Sequence, residues 1–132
     1  MSDARPMRYT ALHHAAVLVG DTGRALAFYA GVLGLPVDPG RPDLGYPGAW
    51  LRIGDQQLHL MELPDPHADA PRPAHGGRDR HVALAVESIE PVVRALDAAG
   101  VAYTRSRSGR RALFCRDPDG NAVEILEAGP SD

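Results

Sequence analysis

Leu12-His13-His14-Ala15-Ala16-Val17-Leu18-Val19 decides the fold. The run is short, β-branched and alanine-rich, with two histidines near its start, and it returns as Arg80-His81-Val82-Ala83-Leu84-Ala85-Val86. Laying His14 on His81 places Ala15 on Val82, Val17 on Leu84 and Val19 on Val86. The opposite face reads His, Ala, Leu in the first copy and His, Ala, Ala in the second. Such alternation is the signature of a strand with two different faces. The chain is therefore built twice, and each half brings a histidine to an equivalent place.

The surrounding segments follow the same plan. Asp21 has the position and chemistry of an N-cap for a helix over about 22–33, and Gly34 supplies its stop. Leu35-Pro36-Val37 reads as a short edge strand, followed by a Pro/Gly loop from Pro39 to Gly48. Residues 49–53 and 56–62 read as strands joined at Gly54-Asp55. In the second copy Ser88 stands seven residues after His81, as Asp21 does after His14. A helix with Pro91 in its first turn ends at Gly100, residues 101–104 form a strand, and a hairpin turns at Asp117-Pro118-Asp119-Gly120. The expected architecture is α+β: two βαβββ modules, about 10–62 and 80–127, in a single domain spanning 1–132. The proline-rich segment 63–79 is a linker, long enough to join units or cover a site.

Composition narrows the function classes. The chain has 132 residues, enough for one domain with a real core. Hydrophobic residues at 44% and charged residues at 23% are those of a soluble globular protein. A net charge of −3 with scattered basic residues argues against a nucleic-acid surface. No apolar run is long enough to span a membrane, and Met1–Arg8 has no apolar core of a secretory signal. One cysteine, Cys115, fits a cytoplasmic protein. All 14 basic residues are arginine, which excludes Schiff-base and phosphate-loop lysines. Six histidines are many for this length.

Superposing the last strands of the two halves lays Leu58-His59-Leu60-Met61-Glu62 on Val123-Glu124-Ile125-Leu126-Glu127. His59 lands on Glu124, an offset of 65 (124 − 59), near the 67 (81 − 14) of the first strands. The repeat nominates His14, His59, His81 and Glu124, each a polar group interrupting an apolar strand. Three imidazoles and a carboxylate match the ligand preferences of zinc, nickel, iron, cobalt or manganese. His13 faces the other side of its strand, and His67 and His75 sit in the linker. His67 and His75 read as solvated, with a lid or anion clamp formed by His75, Arg78 and Arg80 as the alternative; Trp50 and Phe114 are candidate pocket-lining residues, and Glu62 and Glu127 read as solvated.

The chain resembles the vicinal oxygen chelate superfamily, which includes glyoxalase I, methylmalonyl-CoA epimerase, fosfomycin-resistance enzymes, extradiol dioxygenases and bleomycin-binding proteins. The resemblance runs from about 10 to 127. It rests on His14 with Asp21, on Ala27-Phe28-Tyr29 to Leu33-Gly34-Leu35, and on Asp117-Pro118-Asp119-Gly120-Asn121 followed by Glu124. It implies an eight-stranded incomplete barrel with one divalent metal per site, held by His14, His81 and Glu124. At the fourth position, often Glu or Gln in the superfamily, this chain has His59. The implied function is that of a metal-dependent lyase or isomerase stabilising an enolate-type intermediate of a small oxygenated substrate. Glu124, or a water activated at the metal, would be the base. The alternatives are a ring-cleaving dioxygenase and a non-catalytic drug- or metabolite-binding protein. A homodimer is expected, with the site in one chain or shared by two.

Overall fold

The computed structural model describes residues 5–129. The first module runs β1 (His14–Leu18), α1 (Thr22–Leu26), β2 (Val37–Asp38), β3 (Gly48–Ile53) and β4 (Gln56–Met61). The second runs β5 (His81–Val86), α2 (Glu90–Ala99), β6 (Tyr103–Arg105), β7 (Ala112–Arg116) and β8 (Ala122–Glu127). The eight strands form two four-stranded mixed sheets, in the orders β1-β4-β3-β2 and β5-β8-β7-β6, with no closed barrel. Among the described residues no helix is long and apolar enough to cross a membrane.

The repeat holds at the level of register. In the parallel β1–β4 pair His14 stands opposite Gln57 and Ala16 opposite His59. In the parallel β5–β8 pair His81 stands opposite Ala122 and Ala83 opposite Glu124. The two offsets read from sequence are thus the two sides of one superposition. Trp50 pairs with His59 as Phe114 pairs with Glu124, so these residues are equivalents too.

Each strand–helix turn is built differently from its expected form in one respect. Asp21 is the N-cap of α1, accepting from the Arg24 N–H at 2.8 Å. Ser88 makes no such cap; α2 starts from Ile89, whose N–H donates to Glu127 Oε2 at 2.9 Å. Glu62 does the matching work in the first module, accepting from the Thr22 N–H at 2.8 Å. Glu62 and Glu127, which strand alternation alone sends to solvent, therefore tie each last strand to its own helix. A carboxylate at a helix N-terminus also meets the positive end of the helix dipole. The first helix continues past α1 as a wider π-helical stretch over Ala27–Val32, which buries Phe28 and Tyr29. Gly34 and Gly100, with φ of 74° and 69°, end the two helices in the left-handed conformation that glycine adopts without strain.

Residues from both modules form one buried cluster, including Tyr29, Leu51, Leu58 and Leu60 with Ile89, Leu96 and Leu113. The Asp117–Asn121 turn locks the modules together. Asp117 is buried and accepts from the Tyr29 hydroxyl at 2.7 Å. It also accepts from the backbone N–H groups of Asp119 and Asn121 and from the Asn121 amide. Asn121 Nδ2 donates to the Leu18 carbonyl at 2.9 Å, and Asp119 pairs with Arg24 at 2.9 Å. Desolvation and the Asp117 charge hold the Tyr29 hydroxyl far above its ordinary pKa, so it stays a donor.

Candidate functional site

Strand pairing places the four nominated residues on the open faces of the two sheets, where they form two pairs. In the second module His81 Nε2 lies 3.2 Å from Glu124 Oε1. His81 Nδ1 lies 2.8 Å from the Asp79 carbonyl. A carbonyl only accepts, so Nδ1 carries a proton, and in the neutral ring Nε2 turns its lone pair towards Glu124. Two sets of lone pairs facing each other need a proton or a cation between them. Glu124 is 4% exposed, and its Oε2 is buried without a hydrogen-bond partner. Buried polar atoms are seldom left so. An imidazole oriented through its far nitrogen, beside a carboxylate with an orphaned oxygen, fits a divalent metal.

Asp79, which aims His81, is itself anchored. Its carboxylate takes Arg116 at 2.8 Å and Arg72 at 3.3 Å. The Arg116 hydrogen bond is the main reason its carboxyl sits below the usual carboxylate range. Arg116 also donates to the Gly120 and Pro73 carbonyls, so the end of the linker is fastened to the β7–β8 turn.

The first module's pair is arranged otherwise. The His14 and His59 rings stack at 4.1 Å and 14°, and Trp50 stacks on the other face of His59 at 4.5 Å and 10°. Gln57 Nε2 donates to Asp38 at 2.8 Å, which turns Gln57 Oε1 to His59 Nε2 at 2.9 Å. His59 therefore donates through Nε2 and keeps its lone pair on Nδ1. Desolvation, then the charges of His14, His13 and Arg41, push its pKa down and favour the neutral ring that binds metals. His13 does not simply leave the site: its Nδ1 lies 2.9 Å from that of His14. Stacked rings send their in-plane lone pairs side by side. Among the described residues, no three His, Cys, Asp or Glu side chains form a group that could hold a metal ion. The chain brings His14 to His59 and His81 to Glu124, and it does not join the two pairs.

Two cavities flank His81. One of about 340 Å³ lies between β1 and β5 and is lined by Ala16, Leu18, Asp65, His67, Arg80 and His81. The other, of about 350 Å³, lies over the His81–Glu124 pair. His75 and Phe114 line it, with Phe114 edge-on to His81 at 5.2 Å and His75 edge-on to Phe114 at 4.9 Å. His75 is held there by Thr104 Oγ1 at 2.7 Å. The linker thus flanks His81 on both sides, with His67 in one cavity and His75 and Arg78 in the other. Arg80 faces the first cavity and does not line the one over Glu124. Cys115 is buried, and desolvation pushes its thiol up to about 12, which makes it a packing residue rather than a nucleophile.

The model of the Glyoxalase/Bleomycin resistance protein/Dioxygenase superfamily matches residues 11–125. The chain belongs to that superfamily. It is 33% identical over 127 residues to "Glyoxylase I 4" of Arabidopsis thaliana, covering 91% of this chain and 72% of that protein. It is 28% identical over 121 residues to the lactoylglutathione lyase of Haemophilus influenzae, covering 86% of this chain and 90% of that enzyme. A glyoxalase-family structure from Bacillus anthracis superposes with a TM-score of 0.76 at 24% identity, covering 93% of this chain and 98% of the other. Members of such a superfamily share a fold and differ in chemistry, so the reaction rests on the site.

Proposed function

We propose that the protein is a metal-dependent lyase or isomerase of the glyoxalase type, acting on a small oxygenated substrate. The observation that carries this reading is the His81–Glu124 pair. Its Nε2 and Oε1 lie 3.2 Å apart, and one buried carboxylate oxygen has no hydrogen-bond partner. His14, His59, His81 and Glu124 are the proposed ligands of one divalent metal. Because the chain holds them as two pairs, the complete site would draw one pair from each of two copies in a homodimer. The strands β1 and β5, which carry His14 and His81, each end their own sheet.

A divalent metal would supply Lewis acidity, stabilising negative charge on a substrate oxygen. The chain supplies the rest. Asp79 fixes the proton on His81 Nδ1, Phe114 lines the cavity over the pair, Trp50 stacks on His59, and Glu124 is the candidate base for a proton next to a carbonyl. The name of the Haemophilus relative supports a lyase. A second reading is a binding protein without turnover. What favours it is the His14–His59–Trp50 stack, a flat ring surface suited to a planar ligand.

Metal analysis of the purified protein tests the first reading. One transition metal per site is expected, lost in His81→Ala and Glu124→Ala, together with hemithioacetal isomerisation. Protein that binds no zinc, nickel or manganese after addition overturns it. Bound metal without isomerisation or catechol cleavage favours the binding protein.

A further inference from the structure

The cavity over His81 and Glu124 has more arginine than carboxylate. Arg78 enters from the turn Gly76–Arg78, and Arg107 and Arg110 enter from the β6–β7 connection with Ser106 and Ser108. The other arginines nearby are occupied. Arg111 pairs with Glu90 and Glu127 at 3.0 Å each, Arg116 pairs with Asp79, and Arg105 lies over the Tyr103 ring. Among the described residues Arg78 and Arg107 have no carboxylate partner, and Arg110 reaches only Glu124, at 4.0 Å. Three guanidinium groups therefore face one cavity that holds one carboxylate.

The β6–β7 tip is bonded to itself in a way that presents Arg110. Ser108 Oγ accepts from Arg110 Nε at 3.0 Å and lies 2.8 Å from Ser106 Oγ. The Ser106 N–H donates to the Ala112 carbonyl at 2.9 Å, closing the loop. The equivalent β2–β3 connection of the first module differs. Its Arg41 is spent on the Tyr46 carbonyl at 2.8 Å and on the Tyr46 ring. Planar, always-charged donors in excess of carboxylates at the rim of a small cavity are the chemistry that selects oxyanions.

We infer that this cavity binds a small substrate bearing a carboxylate or phosphate, gripped by Arg107 and Arg110 together with Arg78. The substrate's reacting oxygen is thereby delivered to the His81–Glu124 pair. The inference names the substrate class of the site proposed above and rests on that reading for its catalytic meaning.

Calorimetric titration of the full chain, stripped with EDTA and dialysed, tests it. The probes are malonate, inorganic phosphate and neutral malonamide. Malonate or phosphate is expected to bind, the tighter of the two identifying the anion type, and malonamide is not. Arg107→Gln and Arg110→Gln, at exposed positions, should each weaken binding about tenfold, roughly the effect of one charged hydrogen bond. Arg94→Gln on α2 should leave it unchanged. Added salt should weaken binding by the native protein more than by the variants. Equal affinity for malonamide, or unchanged anion affinity in both arginine variants, overturns the inference. Zinc is titrated separately. Anion binding without zinc binding sinks the metal reading and leaves this one, and zinc binding without anion binding does the reverse.

Discussion

Replacing Glu124 by Gln should stabilise the metal-free protein and abolish its response to metal. Glu124 is buried, its Oε2 has no hydrogen-bond partner, and its Oε1 lies 3.2 Å from His81 Nε2. A buried polar group left unsatisfied costs about 1–3 kcal/mol. An amide at this position puts an N–H donor against Nε2 and removes a buried charge. We expect Glu124→Gln to gain about 1 kcal/mol in EDTA, read from urea unfolding, or a rise in Tm of about 3 °C. Zinc at a hundredfold excess over its dissociation constant should stabilise the native protein by about 2.7 kcal/mol and the variant by almost nothing. The two signs together are the test, since most substitutions of buried groups only destabilise. Loss of stability in EDTA would show that His81 and Glu124 form a self-sufficient imidazolium–carboxylate pair. A zinc response retained in the variant would remove Glu124 from the ligand set. Either result refutes the reasoning.

Two further substitutions probe the frame that holds the site. Tyr29→Phe removes the hydroxyl that donates to Asp117, but the same oxygen keeps the Asn121 amide, so the loss should fall near the low end for a charged hydrogen bond, about 1.5 kcal/mol by urea unfolding; a change below about 0.5 would show that the turn does not latch the modules. Glu127 has its carboxyl pKa lowered by the Ile89 N–H first and by Arg111 second, so its contribution is full above the unfolded value near 4.5 and is lost as pH falls through the lower folded value. The Tm gap between native protein and Glu127→Gln should therefore stay constant from neutral pH to about 5 and close below about 4; a gap that widens in acid contradicts the assignment.

The repeat made the strand faces legible because alternation and pairing register follow from backbone geometry alone. His14 on His81 and His59 on Glu124 could be read by matching letters, and the sheet pairings reproduce both matches. What the letters did not carry is the reach of side-chain ends. Glu62 and Glu127 alternate off the ligand face, yet each bends to the N-terminus of the adjacent helix. Ser88 matches Asp21 in spacing, but Glu127 had already taken the capping role. The Asp117–Asn121 turn reads as a local hairpin signal, and its work is done on Leu18, Arg24 and Tyr29 of the other module. The basic residues read as scattered, and only packing shows which of the arginines at 105, 107, 110 and 111 are paired and which face the cavity.

The two modules share a register and depart from it at the positions where chemistry is expected. At equivalent places the first module carries His59 under Trp50, and the second carries Glu124 under Phe114. The first stacks flat rings on its pair and ties Arg41 away; the second lines the cavity over its pair with three guanidinium groups. A site completed by one pair of each kind would not be symmetric towards a substrate. Its neutral, planar side would come from β1, β3 and β4, and its anion-binding side from β5, β8 and the β6–β7 tip. A substrate bound between them has one orientation with its charge at Arg107 and Arg110, and in that orientation the carboxylate of Glu124 lies nearest the charged end. Proton removal would then occur next to the anionic group. That placement distinguishes the proposed reaction from one in which the ring-stacked side holds the reacting carbon, and Arg110→Gln should accordingly raise KM and lower kcat together rather than KM alone.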